Sequence, residues 1–379
     1  MGSQRPAAGA RLEIVQGTNQ GAATTADAEG RYRFDNLELG TFTLRAQATG
    51  FEPETRSVTL SATQVVDFAL RASGAPGSRI AGTLLDGLTQ QGLAGVVVRI
   101  DGIGETTSGP DGSFSLAAAD PQTLRSVTVS SGGIVERATR LRVPGPTTTL
   151  TLIPSSLDLT AFNQMFRGSN GELHRWVAAP DLIIERRVLE FTTVGAAEYT
   201  GTSTTLSDSE VSALVTDLEW AMAQLTANTF TRFASVRVDT ADESASVRVS
   251  YPGAIHVARY DGLTIGSNFW GYTRWSWNGL GEMQSGIVML DRNFEVSGSA
   301  FRRSLRAHEL GHALGYQHVT VRESVMQSHA RTEPTTFDRD GARIAFQRMP
   351  RNRTPDVDPV DFVGNLRALA SQIFWAEAH

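Results

Sequence analysis

Alternation of apolar and polar positions dominates the first part of the chain. Apolar residues recur at every second position in short runs, and glycine- and proline-rich turns separate these runs. This period of two is typical of β-strands that bury one face. Many short strands at regular spacing predict β-sandwiches. The alternating residues are Ala10, Leu12 and Ile14; Phe42, Leu44 and Ala46; Val96, Val98 and Ile100; and Leu150 with Leu152.

A weak internal repeat divides this part into two copies. Residues 24–34 align without gaps on residues 106–116, and each segment contains an acidic residue and a glycine before an alternating run. Such a segment predicts a turn that enters a strand. We therefore predict two β-sandwich modules, at 1–72 and 78–153, joined by a flexible glycine- and proline-containing linker near residues 73–78.

The pattern changes to mixed helices and strands after residue 156, which predicts an α+β domain over 157–379. Ser207 and Glu210 form a capping box, and apolar residues at helical spacing extend that helix to about Leu225. Strands are predicted at 181–191, 247–250, 254–258 and 287–290. Further helices are predicted at about 299–314, 338–348 and 362–376.

One stretch, His-Glu-Leu-Gly-His-Ala-Leu-Gly-Tyr-Gln-His over residues 308–318, carries the strongest chemical signal. On a helix, His308 and His312 lie one turn apart on the same face, so both imidazoles can bind one ion. Zinc accepts imidazole nitrogen, and a catalytic zinc site uses three protein ligands and one water. Glu309 is therefore predicted to be the catalytic general base that takes a proton from this water.

The helix is predicted to end at Gly315, because glycine adopts the left-handed backbone conformation that closes a helix. The chain can then turn back and supply His318 as the third ligand. Three of the seven histidines fall in this motif, and its spacing arises by chance in on the order of one chain in 10⁵. We predict that His308, His312 and His318 bind Zn2+; the alternative is surface histidines on an amphipathic helix.

With these residues the sequence resembles the metzincin metallopeptidases, whose zinc motif is followed by a turn that contains methionine. The resemblance implies that Met326 packs beneath the zinc ligands and, with Gly315, supports the site. Ser328 stands where some branches carry a tyrosine, so no tyrosine ligand is expected. The resemblance also implies a strand before the active helix, at the sheet edge and antiparallel to bound substrate. Its expected substrate-binding residues are Ile287, Val288, Met289 and Leu290.

A second resemblance covers the modules. The pattern Thr-x-Asp-x-x-Gly-x-Tyr-x-Phe, then Leu-x-x-Gly-x-Phe-x-Leu, then Gly-Phe, runs from Thr25 to Phe51. It is similar to the carboxypeptidase regulatory-like, transthyretin-like β-sandwich modules. The second copy lacks part of this pattern but has an opening strand at 79–85, which the first copy lacks. We expect a first module without its first strand, and modules that act as spacers or dock a partner or surface glycan.

Charge and cysteine content narrow the class of protein. The net charge of −6 and the pI of about 5.7 do not favour nucleic acid as a partner. No apolar run approaches the roughly 20 residues that span a bilayer. The chain has no cysteine, which excludes disulfides and thiolate ligands and suits an exported bacterial protein. We expect a secreted or cell-surface bacterial protein, although this chain contains no signal peptide.

Two other clusters have open interpretations. The aromatic residues of 269–277 either line the cleft or, as we favour, pack in the core. Asp356, Asp358 and Asp361 are possible calcium ligands because calcium prefers oxygen. Calcium is otherwise unsupported, and solvated loop acids are the usual alternative.

Charged residues near the motif are assigned no catalytic role. His329 lies close to it in sequence, but nothing in its spacing makes it a ligand. The arginines of the active helix are predicted to lie on its solvated side. They are Arg302, Arg303 and Arg306.

These patterns together predict a zinc-dependent endopeptidase acting on a protein or peptide substrate. The alternative is a catalytically silent or latent zincin scaffold that carries adhesive β-sandwich modules. The intact Glu309 favours the enzyme, because a silent scaffold does not need a general base. A zinc hydrolase acting on a non-peptide bond is a third possibility.

Overall fold

The computed structural model describes residues 7–48, 51, 53–68, 70, 79–118, 123–168, 170–267, 269–360 and 372–378. Two β-rich modules come first along the chain, and a larger region that mixes helices with a nine-stranded sheet follows. The multidomain, β-rich organisation agrees with the prediction from hydrophobic periodicity.

The first module is built on one antiparallel sheet with strand order β2-β1-β3-β4. The strand predicted within residues 31–34 is wrong, because this segment has no strand pairing. Its Tyr32 and Phe34 instead pack on the apolar face of the sheet, and the Tyr32 hydroxyl donates to the Val66 carbonyl. Ring packing therefore replaces ladder hydrogen bonds here. The strands are β1 (Arg11–Gly17), β2 (Ala23–Thr25), β3 (Gly40–Gln47) and β4 (Glu54–Leu60).

The second module is a sandwich of two sheets, with orders β10-β9-β6-β7 and β11-β5-β8. Leu84, Val98, Val129 and Leu152 are fully buried between the sheets, and for Val98 and Leu152 this agrees with the predicted alternation. The predicted opening strand is β5. The strands are β5 (Arg79–Asp86), β6 (Val97–Ile100), β7 (Gly104–Thr107), β8 (Ser113–Ala117), β9 (Thr123–Ser130), β10 (Arg137–Val143) and β11 (Thr148–Leu152).

The third region packs helices against a mixed sheet. Its helices are α1 (Leu159–Phe166), α2 (Asp208–Leu225), α3 (Leu263–Ser267), α4 (Arg292–Val296), α5 (Arg302–Ala313) and α6 (Thr336–Phe346). Its strands are β12 (Asp181–Glu185), β13 (Arg187–Glu190), β14 (Glu198–Thr205), β15 (Val236–Asp239), β16 (Ser246–Arg248), β17 (Ala254–Asp261), β18 (Gly271–Trp277), β19 (Met283–Asp291) and β20 (Gln372–Ala378).

The topology of this sheet determines which strand can receive a further chain. β12 and β13 both pair in parallel with β17, and β17 pairs in parallel with β19. β18 is antiparallel to β19 on its other side. The sequence-based assignment of Ile287–Leu290 to the sheet edge is therefore wrong, because β19 is enclosed by two neighbours. Eight of its nine residues are buried, as expected of a strand covered on both faces.

Helix α2 begins and packs as its sequence predicts. Ser207 and Glu210 form the capping box, and Val211, Leu214 and Leu218 are buried along one face. The helix predicted over 362–376 is wrong at its end, because residues 372–376 belong to strand β20. Pairing with β18 overrides local helix propensity there. Residues 361–371 lie outside the described part of the chain.

A buried ion pair joins the second module to the third region, and a second buried pair lies beside it within the third region. Arg137 of β10 lies 2.9 Å from Asp358, and Arg348 lies 2.7 Å from Asp356. The Asn352 amide donates to both carboxylates at 3.0 Å. These contacts contradict a calcium site, because arginine and amide donors already neutralise and hold the two carboxylates. Asp361, the third predicted acid, lies outside the described residues.

Asp358→Asn is expected to destabilise the third region by roughly 3 kcal/mol at pH 7, because it leaves the buried Arg137 charge without its counter-ion. Burial raises the pKa of Asp358, but Arg137 and hydrogen bonds outweigh this and hold it below the ordinary value of 3.8. A depressed folded-state pKa stabilises the protein above the unfolded pKa, and this stabilisation is lost as pH falls through the folded value.

The check is chemical denaturation followed by tryptophan fluorescence, since all six tryptophans lie after residue 156. The difference in unfolding midpoint between wild type and Asp358→Asn should be largest at neutral pH and should shrink below about pH 3.8. Asp101→Asn, at an exposed acid, is the matched control. Equal unfolding midpoints for all three proteins at pH 7 would show that the pair does not stabilise the junction.

Candidate metal centre

Helix α5 carries two of the three histidines and is buried from Ser304 to Ala313. Leu305, Leu310 and Leu314 are fully buried in the core, as predicted. His308 and His312, one turn apart, are also fully buried. The predicted solvated face of the helix is wrong at Arg306, which is buried.

Arg306 is almost completely buried and makes ion pairs with Glu295 and with Asp217, the latter at 2.8 Å. Glu295 is also bonded by Arg259. Such pairing makes a buried arginine tolerable, because unpaired burial of its charge is costly. Arg302 and Arg303 are only partly buried.

Gly315 ends the helix and redirects the chain. Its φ is +101°, in the left-handed region that favours glycine. A Cβ at this position would lie 2.8 Å from the His174 carbonyl oxygen. Both the backbone conformation and the lack of space therefore exclude a side chain here. After this turn, the Gln317 amide donates to the Met165 carbonyl at 2.9 Å, and the next residue is His318.

The three imidazoles converge through their Nε2 atoms. The distances are 3.0 Å between His308 and His312, 3.2 Å between His312 and His318, and 3.3 Å between His308 and His318. Two nitrogens bound to one tetrahedral zinc at 2.0–2.1 Å would be about 3.3 Å apart. The spacing therefore fits three ligands of a single zinc ion.

Backbone hydrogen bonds orient two of these rings. Nδ1 of His308 lies 2.7 Å from the Val325 carbonyl oxygen, and Nδ1 of His312 lies 2.7 Å from the Tyr316 carbonyl oxygen. A carbonyl only accepts, so Nδ1 carries the proton and Nε2 presents a lone pair. Burial, reinforced by the other histidines, lowers the pKa of His308 to about 3 and that of His312 well below its ordinary value. Both rings are thus neutral donors suited to a metal.

Glu309 lies between the helix and strand β18. Its Oε2 accepts a hydrogen bond of 2.6 Å from Thr273 Oγ1, and its Oε1 has no partner among the described residues. A Cβ on Gly271 would lie 2.4 Å from Oε1, so only glycine leaves room for this carboxylate. Burial raises the pKa of Glu309 to about 8, although the Thr273 bond opposes this.

Sequence reasoning missed Gly271 and Thr273. Both lie outside the histidine motif, and their relation to Glu309 depends on β18 packing against α5. Trp275 of the same strand stacks on His312, with ring centroids 5.5 Å apart and planes 2° apart. The only sequence signal was the aromatic cluster that contains these residues.

Met326 lies in a buried turn directly beneath α5. A Cβ on Gly311 would lie 2.4 Å from the Met326 sulfur, so the thioether packs against the helix backbone. The Val319 amide donates to the Met326 carbonyl at 2.8 Å. Asp338 of α6 accepts from the Val325 amide at 2.9 Å. The turn therefore holds the carbonyl that orients His308.

The remaining predicted residues divide between core and surface. Tyr272, Trp275 and Trp277 are buried, which agrees with the packing interpretation of the aromatic cluster. Ile287, Val288, Met289 and Leu290, the predicted substrate-binding residues of β19, are buried in the core. Ser328 and His329 are exposed.

Comparisons with known proteins assign the first module. Residues 2–71 match the carboxypeptidase regulatory-like domain family, in agreement with the resemblance drawn from Thr25–Phe51. No curated protein matches the chain. The matched family model leaves the histidine site unassigned.

Several solved structures are similar to part of the chain. A streptococcal ancillary pilin is 16% identical, with a TM-score of 0.19, over 40% of this chain and 58% of the pilin. The Bacillus anthracis TIE protein is 15% identical, with a TM-score of 0.18, over 40% of this chain and 31% of that protein. The shaft pilin SpaA of Lactobacillus rhamnosus GG is 13% identical, with a TM-score of 0.20, over 39% of this chain and 86% of the pilin. This chain therefore spans less than two thirds of the first two proteins, and TM-scores this low say nothing about its activity.

Proposed function

We propose that this protein is a zinc-dependent endopeptidase. The observation that carries the proposal is the convergence of the three histidine Nε2 atoms within 3.3 Å of one another, next to a buried carboxylate. His308 and His312 carry their protons on Nδ1, so without a cation their two Nε2 lone pairs would face each other 3.0 Å apart in the protein interior with no proton between them. A zinc ion satisfies all three at once.

His308, His312 and His318 would hold the metal, and one coordination position would stay open. Bound zinc supplies Lewis-acid polarisation of a carbonyl and lowers the pKa of a water molecule toward 7. The protein's part is to fix the three nitrogens before zinc arrives. The Nδ1–H bonds to the Val325 and Tyr316 carbonyls do this for two of them.

Glu309 is the proposed general base. Its Oε1, which has no hydrogen-bond partner among the described residues, can accept a proton from the attacking water, while Thr273 holds Oε2. The proton then passes from Oε1 to the leaving amine. A nearby dication favours the ionised carboxylate that this role needs.

The outer edge of β18 is the proposed substrate-binding edge, in place of the Ile287–Leu290 segment predicted from sequence. β18 contributes Gly271 and Thr273 beside Glu309, so a chain paired with this strand lies next to the general base. Strand addition binds extended peptides through main-chain hydrogen bonds. This geometry favours a protein or peptide substrate over a non-peptide one.

A latent scaffold that carries adhesive modules is the second candidate function. The family match, which covers only the first module, and the pairing of β18 with β20 both favour it. A latent protein would bind zinc and dock a partner or glycan through its modules without cleaving anything. Either function suits a secreted or cell-surface bacterial protein. No described helix is long and apolar enough to cross a membrane.

His318→Ala is expected to reduce zinc content from about one ion per chain to a small fraction after dialysis, because two imidazoles hold zinc poorly. Metal analysis of the purified protein measures this directly. His329→Ala is the matched control, since His329 is exposed and is not one of the three converging histidines. Full zinc content in His318→Ala would contradict the ligand assignment.

Glu309→Gln is expected to keep zinc and to lower peptide-bond cleavage by about 10²–10⁴-fold, because glutamine cannot accept the proton. Cleavage of a denatured protein is followed by mass spectrometry, with metal content measured on the same samples. Equal cleavage by wild type and variant would reject Glu309 as the base. Wild-type zinc binding without any cleavage would favour the latent scaffold.

Gly271→Ala is expected to lower cleavage by about 10²-fold with zinc content unchanged, because the new Cβ displaces Oε1 and misplacement of about 1 Å has an effect of that size. Gly133→Ala is the control, since nothing lies within 4 Å of its added Cβ. Unchanged kcat in Gly271→Ala would show that the position of this carboxylate does not matter.

A further inference from the structure

Strand β20 covers the outer edge of β18 along its whole length. The two strands pair antiparallel from Gly271 opposite Ala378 to Trp277 opposite Gln372. Thr273, which bonds Glu309, is opposite Ala376. β20 also contacts α5, the helix that carries two of the three histidines.

We propose that Gln372–Ala378 is an autoinhibitory strand that closes the substrate edge of β18. This inference rests on the proposed peptidase function and adds its regulation. In a peptidase that binds substrate by strand addition, the incoming chain needs the hydrogen-bonding groups of this edge. The protein's own segment already uses them, in the antiparallel orientation.

Tethering gives this segment an advantage over free substrate. Its upstream chain is fixed at the junction, where the Asp358 amide donates to the Ala138 carbonyl at 2.9 Å and Arg137 bonds the Asp358 carboxylate. A strand joined to its own sheet by the same chain reaches its edge at an effective concentration on the order of millimolar. A micromolar peptide of similar affinity is therefore excluded until the strand is displaced or removed.

Pairing through the main chain makes the mechanism testable by backbone substitutions. Neighbouring residues of an antiparallel strand alternate between hydrogen-bonded and non-bonded pairs. Replacing Phe374 and Trp375 together by proline therefore removes a ladder donor whichever of the two is bonded. Replacing the same two residues by alanine keeps both N–H groups and is the matched control.

The experiment measures binding of a fluorescent peptide with the sequence of residues 372–378 by anisotropy. All proteins carry Glu309→Gln, so binding is read without cleavage. The compared proteins are the full chain, the double-proline variant, the double-alanine variant and a chain ending at Val360. We expect the double-proline variant and the shortened chain to bind the peptide at least tenfold more tightly than the full chain does. The double-alanine variant should bind the peptide with the affinity of the full chain.

Equal peptide binding by the full chain and the double-proline variant would overturn the proposal, whether or not the shortened chain folds. Peptide binding by the double-alanine variant as tight as that of the double-proline variant would also overturn the proposal. It would show that main-chain pairing is not the interaction that closes the edge. Cleavage is then measured with Glu309 restored. Tight peptide binding without cleavage would contradict the proposed peptidase function and leave the closed edge established.

Discussion

Burial of helix α5 on all sides is the constraint on which the rest of this site depends. The helix places a run of polar and charged groups in the core, where each must find a partner or remain costly. Arg306 is paired with Glu295 and Asp217. The rings of His308 and His312 donate to backbone carbonyls.

The polar atoms of the site that these hydrogen bonds and ion pairs do not satisfy define the candidate chemistry. The three Nε2 atoms converge within 3.3 Å of one another, and one oxygen of Glu309 is unpaired in the described part of the chain. A protein interior tolerates few such atoms unless an ion, water or substrate meets them. The site is therefore recognised from these histidine nitrogens and this carboxylate oxygen as much as from the sequence motif.

Contacts also run continuously from the second module to the histidines. Gln347, just after α6, donates to the Gly87 carbonyl at 2.9 Å. At the other end of α6, Asp338 holds the Val325 amide, and the Val325 carbonyl orients His308. The module is therefore part of the platform that supports the site, beyond its earlier interpretation as a spacer or docking unit.

Local spacing explains what sequence could predict. The i,i+4 histidines, the helix-ending Gly315 and the capping box at Ser207 depend on residues close in the chain, and all lie where they were expected. Gly271 and Thr273 could not be predicted, because their meaning comes from a strand that packs on the helix. Asp356, Asp358 and Arg306 were misassigned because acids and arginines are mostly solvated. Arg137 and Asp217, which pair with Asp358 and Arg306, are also distant in the sequence.

Strands were harder to predict from the sequence than these local helix features. Residues 31–34 have the alternation of a strand but pack as rings without a ladder. Residues 372–376 looked helical yet pair with β18. In both cases the outcome depends on whether a free sheet edge is within reach, which a single sequence does not reveal. The same uncertainty led to the wrong assignment of β19 to the edge of the sheet.

The most direct test of this account is a zinc-edge anomalous difference map from crystals grown with zinc. The account predicts one peak at about 2.0–2.1 Å from Nε2 of His308, His312 and His318, with Glu309 outside the ligand set. A zinc ion bound elsewhere, or one bound by Glu309 in place of a histidine, would contradict it.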